Sequence, residues 1–318
     1  MYIAQTFNVL HDWWRYLVGF LVIVLAVIVG QIPYTVLAIY KAIDSGSNLF
    51  EMNETEMMSL LEPNLNLFLM LLSFAVGLVG VFFAAKVFHK QTITQLTTAR
   101  NKIDWKRFWF AFALWGLLST GLTLLDFVLS PEHYEINFQL KPFLILCVIA
   151  IVMIPLQTSF EEYLFRGYMM QGLGVLTKTK WVPLLTTSFV FGMLHIANPE
   201  VKQLGYIIMI YYIGTGLFLG VMTLMDEGME LALGFHAANN LFTALLVTAD
   251  WTAFQTYSVL KDTSQPTEAG FVDVFMPVFV LFPILLLIFA KKYKWTNWRD
   301  KLFGRVEEPV NKENIVEV

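Results

Sequence analysis

The sequence predicts an all-α membrane protein: a polytopic bundle of about eight transmembrane helices enclosing an intramembrane polar site. Three observations lead there. Of 318 residues, 57% are hydrophobic and only 14% charged, where a soluble domain carries about 25% charged residues; mean hydropathy is +0.62. Apolar runs of roughly 20 residues, the length of a helix crossing the ~30 Å hydrocarbon core, recur along the chain. The charges inside those runs gather in a few compact groups.

The runs lie near 17–40, 65–88, 108–129, 142–171, 181–197, 203–225, 231–249 and 271–290. Trp13, Trp14 and Tyr16 precede the first, as aromatics do at a membrane interface. That run is too long for the apolar region of a cleaved signal peptide, roughly 7–15 residues, and reads as a retained helix. The fourth is long; it either kinks at Pro155 or continues into a shorter helix. The fifth is short and ends at Asn198, Pro199 and Glu200. Eight crossings return both termini to one side. Sixteen Lys and Arg residues fall on that side against four on the other, and a positive bias marks the cytoplasm. The chain is therefore expected in the cell membrane with both termini inside and the acidic stretch 42–64 outside. Residues 1–303 read as one membrane domain with a motif-bearing core at 142–250, followed by a short flexible cytoplasmic tail, 304–318.

Composition also excludes. A net charge of −4 argues against a nucleic-acid partner, and the single cysteine, Cys147, rules out intrachain disulfides and a cysteine-rich zinc site.

Ionisable side chains within membrane helices mark functional sites by default. Glu161, Glu162 and Arg166 stand together near the end of the fourth run. Residues four apart share a helix face, so Glu162 and Arg166 can neutralise each other. Glu161 is turned about 100° away and is left without a local partner. The same spacing puts Phe191 with His195, and His236 with Asn240. At about 1.5 Å per residue, Glu161, His195, His236 and Asn240 fall in one band of depth around the cytoplasmic half of the core. Taken singly, each element has a structural reading: Glu162–Arg166 as a buried ion pair, His195 as a satisfied interhelical donor, His236/Asn240 as polar glue between helices. Together they point to one site.

The ordered set EExxxR, FxxxH and HxxxN resembles the CPBP family, which comprises type II CAAX prenyl endopeptidases and the bacteriocin-processing (Abi) or lysostaphin-resistance-type proteins. The resemblance implies an intramembrane endopeptidase that cleaves a membrane-associated or prenylated, CAAX-type peptide or protein. It implies that Glu161 and His195 activate a water, that His236 and Asn240 hold the oxyanion, and that Glu162, Arg166 and Phe191 support them. No cofactor is expected. The alternative is a zinc-dependent protease with Glu161, His195 and His236 as ligands, a set of the thermolysin type. The competing classes are a proton-coupled transporter, which would show Glu161-dependent flux without cleavage products, and a non-catalytic scaffold or immunity factor, indifferent to Glu161. The expected partners are the bilayer and a membrane-anchored, possibly lipidated, substrate. The depth of the site implies scission near the inner leaflet.

Overall fold

The computed structural model describes residues 1–46, 52, 56, 60–264 and 271–308. All eight predicted spans are helical: α1 Trp13–Asp44, α2 Pro63–Phe88, α3 Trp105–Leu129, α4 Leu140–Thr177, α5 Trp181–Met193, α6 Met209–Asp226, α7 Glu230–Leu246 and α8 Val274–Tyr293. Six of these segments, α6 counted from Tyr206, are long and apolar enough to cross a membrane; α5, with 13 residues, and α7, with 17, are not. Both of these shorter helices carry site residues. Residues 47–51, 53–55 and 57–59 of the acidic stretch 42–64 lie outside the described residues.

The parity of the spans can be checked against contacts. Every segment assigned to the cytoplasmic side meets another of them at one end of the bundle. Leu10 N–H donates to His89 O, Met229 N–H to Thr97 O, Ala99 N–H to Glu227 O, and Lys180 N–H to Gly304 O. At the other end, β1 Tyr134–Ile136, β2 Val247–Ala249 and β3 Leu260–Asp262 form a small sheet in the order β1-β3-β2. It pairs the α3–α4 connection with the one after α7, the only strands among the described residues of an otherwise helical chain.

Two expectations concern the course of the chain. The fourth span runs through Pro155 and, past a π-helical turn at Tyr163–Met169, continues into the short helical stretch Met170–Thr177, the second of the two courses expected for it. The tail does not begin as free chain at 304. Val306 is 3% exposed and donates its N–H to Lys178 O, and Arg305 bridges to Thr179, because an apolar residue there has a seat against the α4–α5 connection. Residues 309–318 lie outside the described residues.

Helices α1 and α3 leave most of their apolar surface outward, whereas α6 is the most enclosed of the long spans. Close approach at the centre is set by glycine. A Cβ at Gly216 of α6 would stand 2.7 Å from the Ser188 carbonyl oxygen of α5, and one at Gly234 of α7 would stand 2.1 Å from the Phe108 carbonyl oxygen of α3. Both bring backbone against backbone, α6 on α5 and α7 on α3.

Candidate active site

α4 delivers Gln157, Glu161, Glu162 and Arg166. Glu162 and Arg166 are fully buried and Glu161 is 9% exposed. Arg166 Nη1 donates to Glu162 Oε1 at 2.9 Å, the ion pair expected from their spacing. Arg166 Nη2 donates to the Gly216 carbonyl on α6 at 3.0 Å, and the guanidinium lies 4.5 Å from the centre of the Phe191 ring, a cation–π contact. A buried arginine is thus held by one charge, one carbonyl and one aromatic face.

The π turn has a direct backbone consequence. The Met170 N–H reaches Phe165 O and Gly167 O, passing over the Arg166 carbonyl that a regular α-helix would offer it. The Tyr2 hydroxyl, from the N-terminal segment, lies within reach of that carbonyl at 3.0 Å and of Leu96 O at 2.7 Å.

α7 lies across α4. His236 is 5% exposed; its Nδ1 bonds to Glu162 Oε1 at 2.8 Å and its Nε2 faces Glu161 Oε2 at 3.5 Å. Glu161 is therefore not without a partner, as its own helix suggested. Spacing along one helix says nothing about a group on the next. Both ring nitrogens of His236 thus face carboxylate oxygens of α4.

His195 is placed differently. α5 ends at Met193, and His195 sits in the following turn. Its Nδ1 bonds to the Phe191 carbonyl at 2.8 Å. A carbonyl only accepts, so Nδ1 carries the proton and a neutral ring presents Nε2 as an acceptor. The ring is stacked on Tyr212 of α6, with centres 4.5 Å apart. Phe191 occupies the middle, its ring centre 4.9 Å from that of His195 and 5.9 Å from that of His236. This explains the aromatic residue in FxxxH: one ring packs against both histidines and the arginine.

Asn240 does not aim its amide at the same point as His236. Its Nδ2 donates to Gln157 Oε1 at 3.0 Å, and its Oδ1 accepts from Asn239 Nδ2 at 3.0 Å. Gln157, Asn239, Trp115 and Tyr212 are site residues that the motif reading missed. For Gln157 the signal was available, since it stands four residues before Glu161.

The zinc set Glu161, His195 and His236 is only half assembled. Glu161 and His236 approach each other, but among the described residues no three His, Cys, Asp or Glu side chains are placed to share a metal ion. As arranged, the residues do not fit the ion.

Comparison with known proteins agrees with the motifs. The profile of the type II CAAX prenyl endopeptidase Rce1-like family matches residues 140–242, which contain every residue of the site except Trp115. The uncharacterized protein YyaK of Bacillus subtilis (strain 168) is 32% identical over 236 residues, covering 74% of this chain and 78% of that protein. No solved structure matches. With the three motifs gathered around one buried polar cluster and a relative matched over most of both chains, the protein belongs to the Rce1-like, type II CAAX prenyl endopeptidase family of membrane proteases.

Proposed function

We propose that the chain is an intramembrane endopeptidase that hydrolyses a membrane-associated, CAAX-type peptide by attack of an activated water on the peptide carbonyl. The observation that carries this reading is the contrast between the two glutamates. Glu162 is committed to Arg166 and His236, while Glu161 meets a single partner at 3.5 Å, looser than a direct hydrogen bond. One carboxylate holds the site together and the other is available to a substrate water.

The roles follow from which atoms present lone pairs. Glu161 and the acceptor Nε2 of His195 draw the proton from the water, base catalysis worth about 10²–10⁴ in rate. Water oxygen bonds to the carbonyl carbon, and the carbonyl electron pair moves onto oxygen. His236, held by Glu162, donates toward that oxyanion, and Asn240 acts through Gln157, whose Oε1 its Nδ2 reaches at 3.0 Å. The proton then passes to the leaving amine as the C–N bond breaks. No metal is required. A site between helices also suits a substrate that is itself anchored in the bilayer. We read the end where the Lys- and Arg-rich segments meet as cytoplasmic, with both termini there and the protein in the cell membrane, and we place scission toward the inner leaflet.

The test is a comparison of peptide termini in membranes from cells carrying the wild type or Glu161→Gln at matched abundance, alongside purified protein with a prenylated CAAX peptide and its unprenylated counterpart. Products specific to the wild type support a protease and reveal its substrate. A folded wild type that releases no new termini, while driving a Glu161-dependent proton flux, would overturn the reading in favour of transport.

A further inference from the structure

An indole and three amides run in one line across the site. Trp115 Nε1 donates to Asn239 Oδ1 at 3.0 Å, Asn239 Nδ2 donates to Asn240 Oδ1 at 3.0 Å, and Asn240 Nδ2 donates to Gln157 Oε1 at 3.0 Å. Amide oxygen and nitrogen are ordinarily assigned from their surroundings. Here the first member settles all the others. An indole N–H can only donate, so the Asn239 atom facing it is oxygen. Its nitrogen then faces Asn240 oxygen, and Asn240 nitrogen faces Gln157 oxygen. The line has one polarity, and it ends on Gln157 Nε2. Among the described residues that nitrogen donates to nothing, although Gln157 is only 4% exposed.

Its position is as informative as its polarity. Gln157 stands one turn before Glu161 on α4, and Asn240 one turn beyond His236 on α7. The helices run antiparallel, so Glu161–His236 at 3.5 Å and Gln157–Asn240 at 3.0 Å form two rungs. Four residues of helix separate the rungs by about 6 Å. Two hydrogen bonds of about 2.8 Å, one to the attacking water and one to the oxyanion, with a tetrahedral carbon between them, bridge a gap of that size.

Resting on the peptidase reading above, we propose that Gln157 is a catalytic residue whose Nε2 donates to the scissile carbonyl oxygen and to the oxyanion it becomes. Trp115 and Asn239 are positioning residues: they fix which way the amides point and so guarantee a donor, not an acceptor, at the end of the line. Gln157 keeps its protons throughout; the water proton travels by way of Glu161 and His195.

The experiment uses the full chain in lipid vesicles with a prenylated CAAX peptide, and compares wild type, Glu161→Gln, Gln157→Leu, Gln157→Glu and Trp115→Phe. Losing one oxyanion donor lowers kcat about 10²–10³-fold. Gln157→Leu and Gln157→Glu are expected to show that loss with KM and melting temperature close to wild type, since a carboxylate offers no N–H either. Trp115→Phe removes one neutral hydrogen bond and the polarity it imposes, for a fall in kcat of about 2–10-fold. A peptide phosphonate that mimics the tetrahedral state should lose affinity in the same order. A Gln157→Leu protein with kcat within about threefold of wild type, or a loss in every variant that only tracks the fraction folded, overturns the assignment. If Gln157→Leu does not accumulate, Gln157→Glu and Trp115→Phe decide on the same criteria. A folded wild type that cleaves nothing overturns the peptidase reading and this role with it. An active wild type beside an unimpaired Gln157→Leu overturns the role alone.

Discussion

Arg166→Ala probes why a membrane helix keeps three charges within six residues. The substitution removes the Nη1 bond to Glu162 at 2.9 Å, the Nη2 bond to Gly216 O at 3.0 Å and the cation lying 4.5 Å from the Phe191 ring centre. What remains is the Glu162 carboxylate, fully buried, with Oε2 already unpartnered and Oε1 touched only by His236. One charge-assisted hydrogen bond contributes about 1.5–3 kcal/mol, but removing one member of a buried pair costs about 3–5 kcal/mol because a charge is stranded. The larger figure applies here, since no other cation touches Glu162 among the described residues. At roughly 2 °C per kcal/mol for a chain of this size, the melting temperature in detergent should fall by about 6–10 °C, with a matching drop in membrane abundance.

The second arm separates charge from packing. Arg166→Ala combined with Glu162→Gln leaves no stranded charge, so most of the lost stability should return, with a coupling of at least about 2 kcal/mol between the two sites. Activity should not return, because the amide no longer clamps His236 as a carboxylate does. Intrinsic tryptophan fluorescence on heating reads stability, and peptide cleavage reads the site. Arg166→Ala melting within about 2 °C of wild type, or a double variant no more stable than the single one, would refute the reasoning.

Glu161→Gln should leave the melting temperature nearly unchanged and lower cleavage at least about 10²-fold, read with the prenylated peptide. Chelators of divalent cations, assayed on the same peptide, should leave kcat untouched in a metal-free site; inhibition reversed by added zinc would contradict that. Tyr2→Phe removes the one hydroxyl proton that Leu96 O at 2.7 Å and Arg166 O at 3.0 Å share, at an expected cost of about 1–3 kcal/mol, measurable as a lower melting temperature with the site residues intact. His89, just past the end of α2, bonds to Leu10 O at 2.7 Å and to the Tyr168 hydroxyl at 3.0 Å; burial, outweighing the Leu10 bond, pushes its pKa below the ordinary 6.5. The unfolded chain then takes up the extra proton first, so the stability that neutral His89 contributes is complete above pH 6.5 and declines as pH falls below it. Melting temperatures measured between neutral and mildly acid pH should show the decline in wild type and a flatter profile in His89→Gln.

The spans and their parity were legible because hydropathy over twenty residues is a signal that needs no partner, and the contacts at the termini-bearing end agree with it. The pair Glu162–Arg166 was legible for the same reason, since both members share one helix. What crosses between helices was not: His236 against both glutamates, Gln157 against Asn240 and Tyr212 against His195 depend on how α4, α5, α6 and α7 are set against one another. The early end of α5 was hidden too. The apolar run continues to Ile196, but His195 Nδ1 takes the Phe191 carbonyl while the His195 N–H turns to Gly192 O at 2.9 Å. A side chain has replaced the backbone donor, and the helix tightens and stops where the histidine is needed.

The π turn shows what such a local departure accomplishes. Glu161 and Tyr168 are seven residues apart, a spacing that returns to nearly one face in an α-helix. They meet different neighbours: Glu161 faces His236 on α7, while the Tyr168 hydroxyl lies against His89 and the Arg15 carbonyl, on the side of α1 and α2. One extra residue in the turn rotates everything after it by about 100°. Without it, Tyr168 and Gln171 would be carried away from the partners that anchor them, or Glu161 would turn away from α7. A proline break would achieve the rotation only by ending the helix between Glu162 and Arg166, separating the pair that neutralises the site. The π turn keeps that pair on one continuous helix and passes over the Arg166 carbonyl, which Tyr2 meets. Tyr2 thereby ties the N-terminal segment to the turn that sets Glu161 toward α7 and Tyr168 toward α1 and α2.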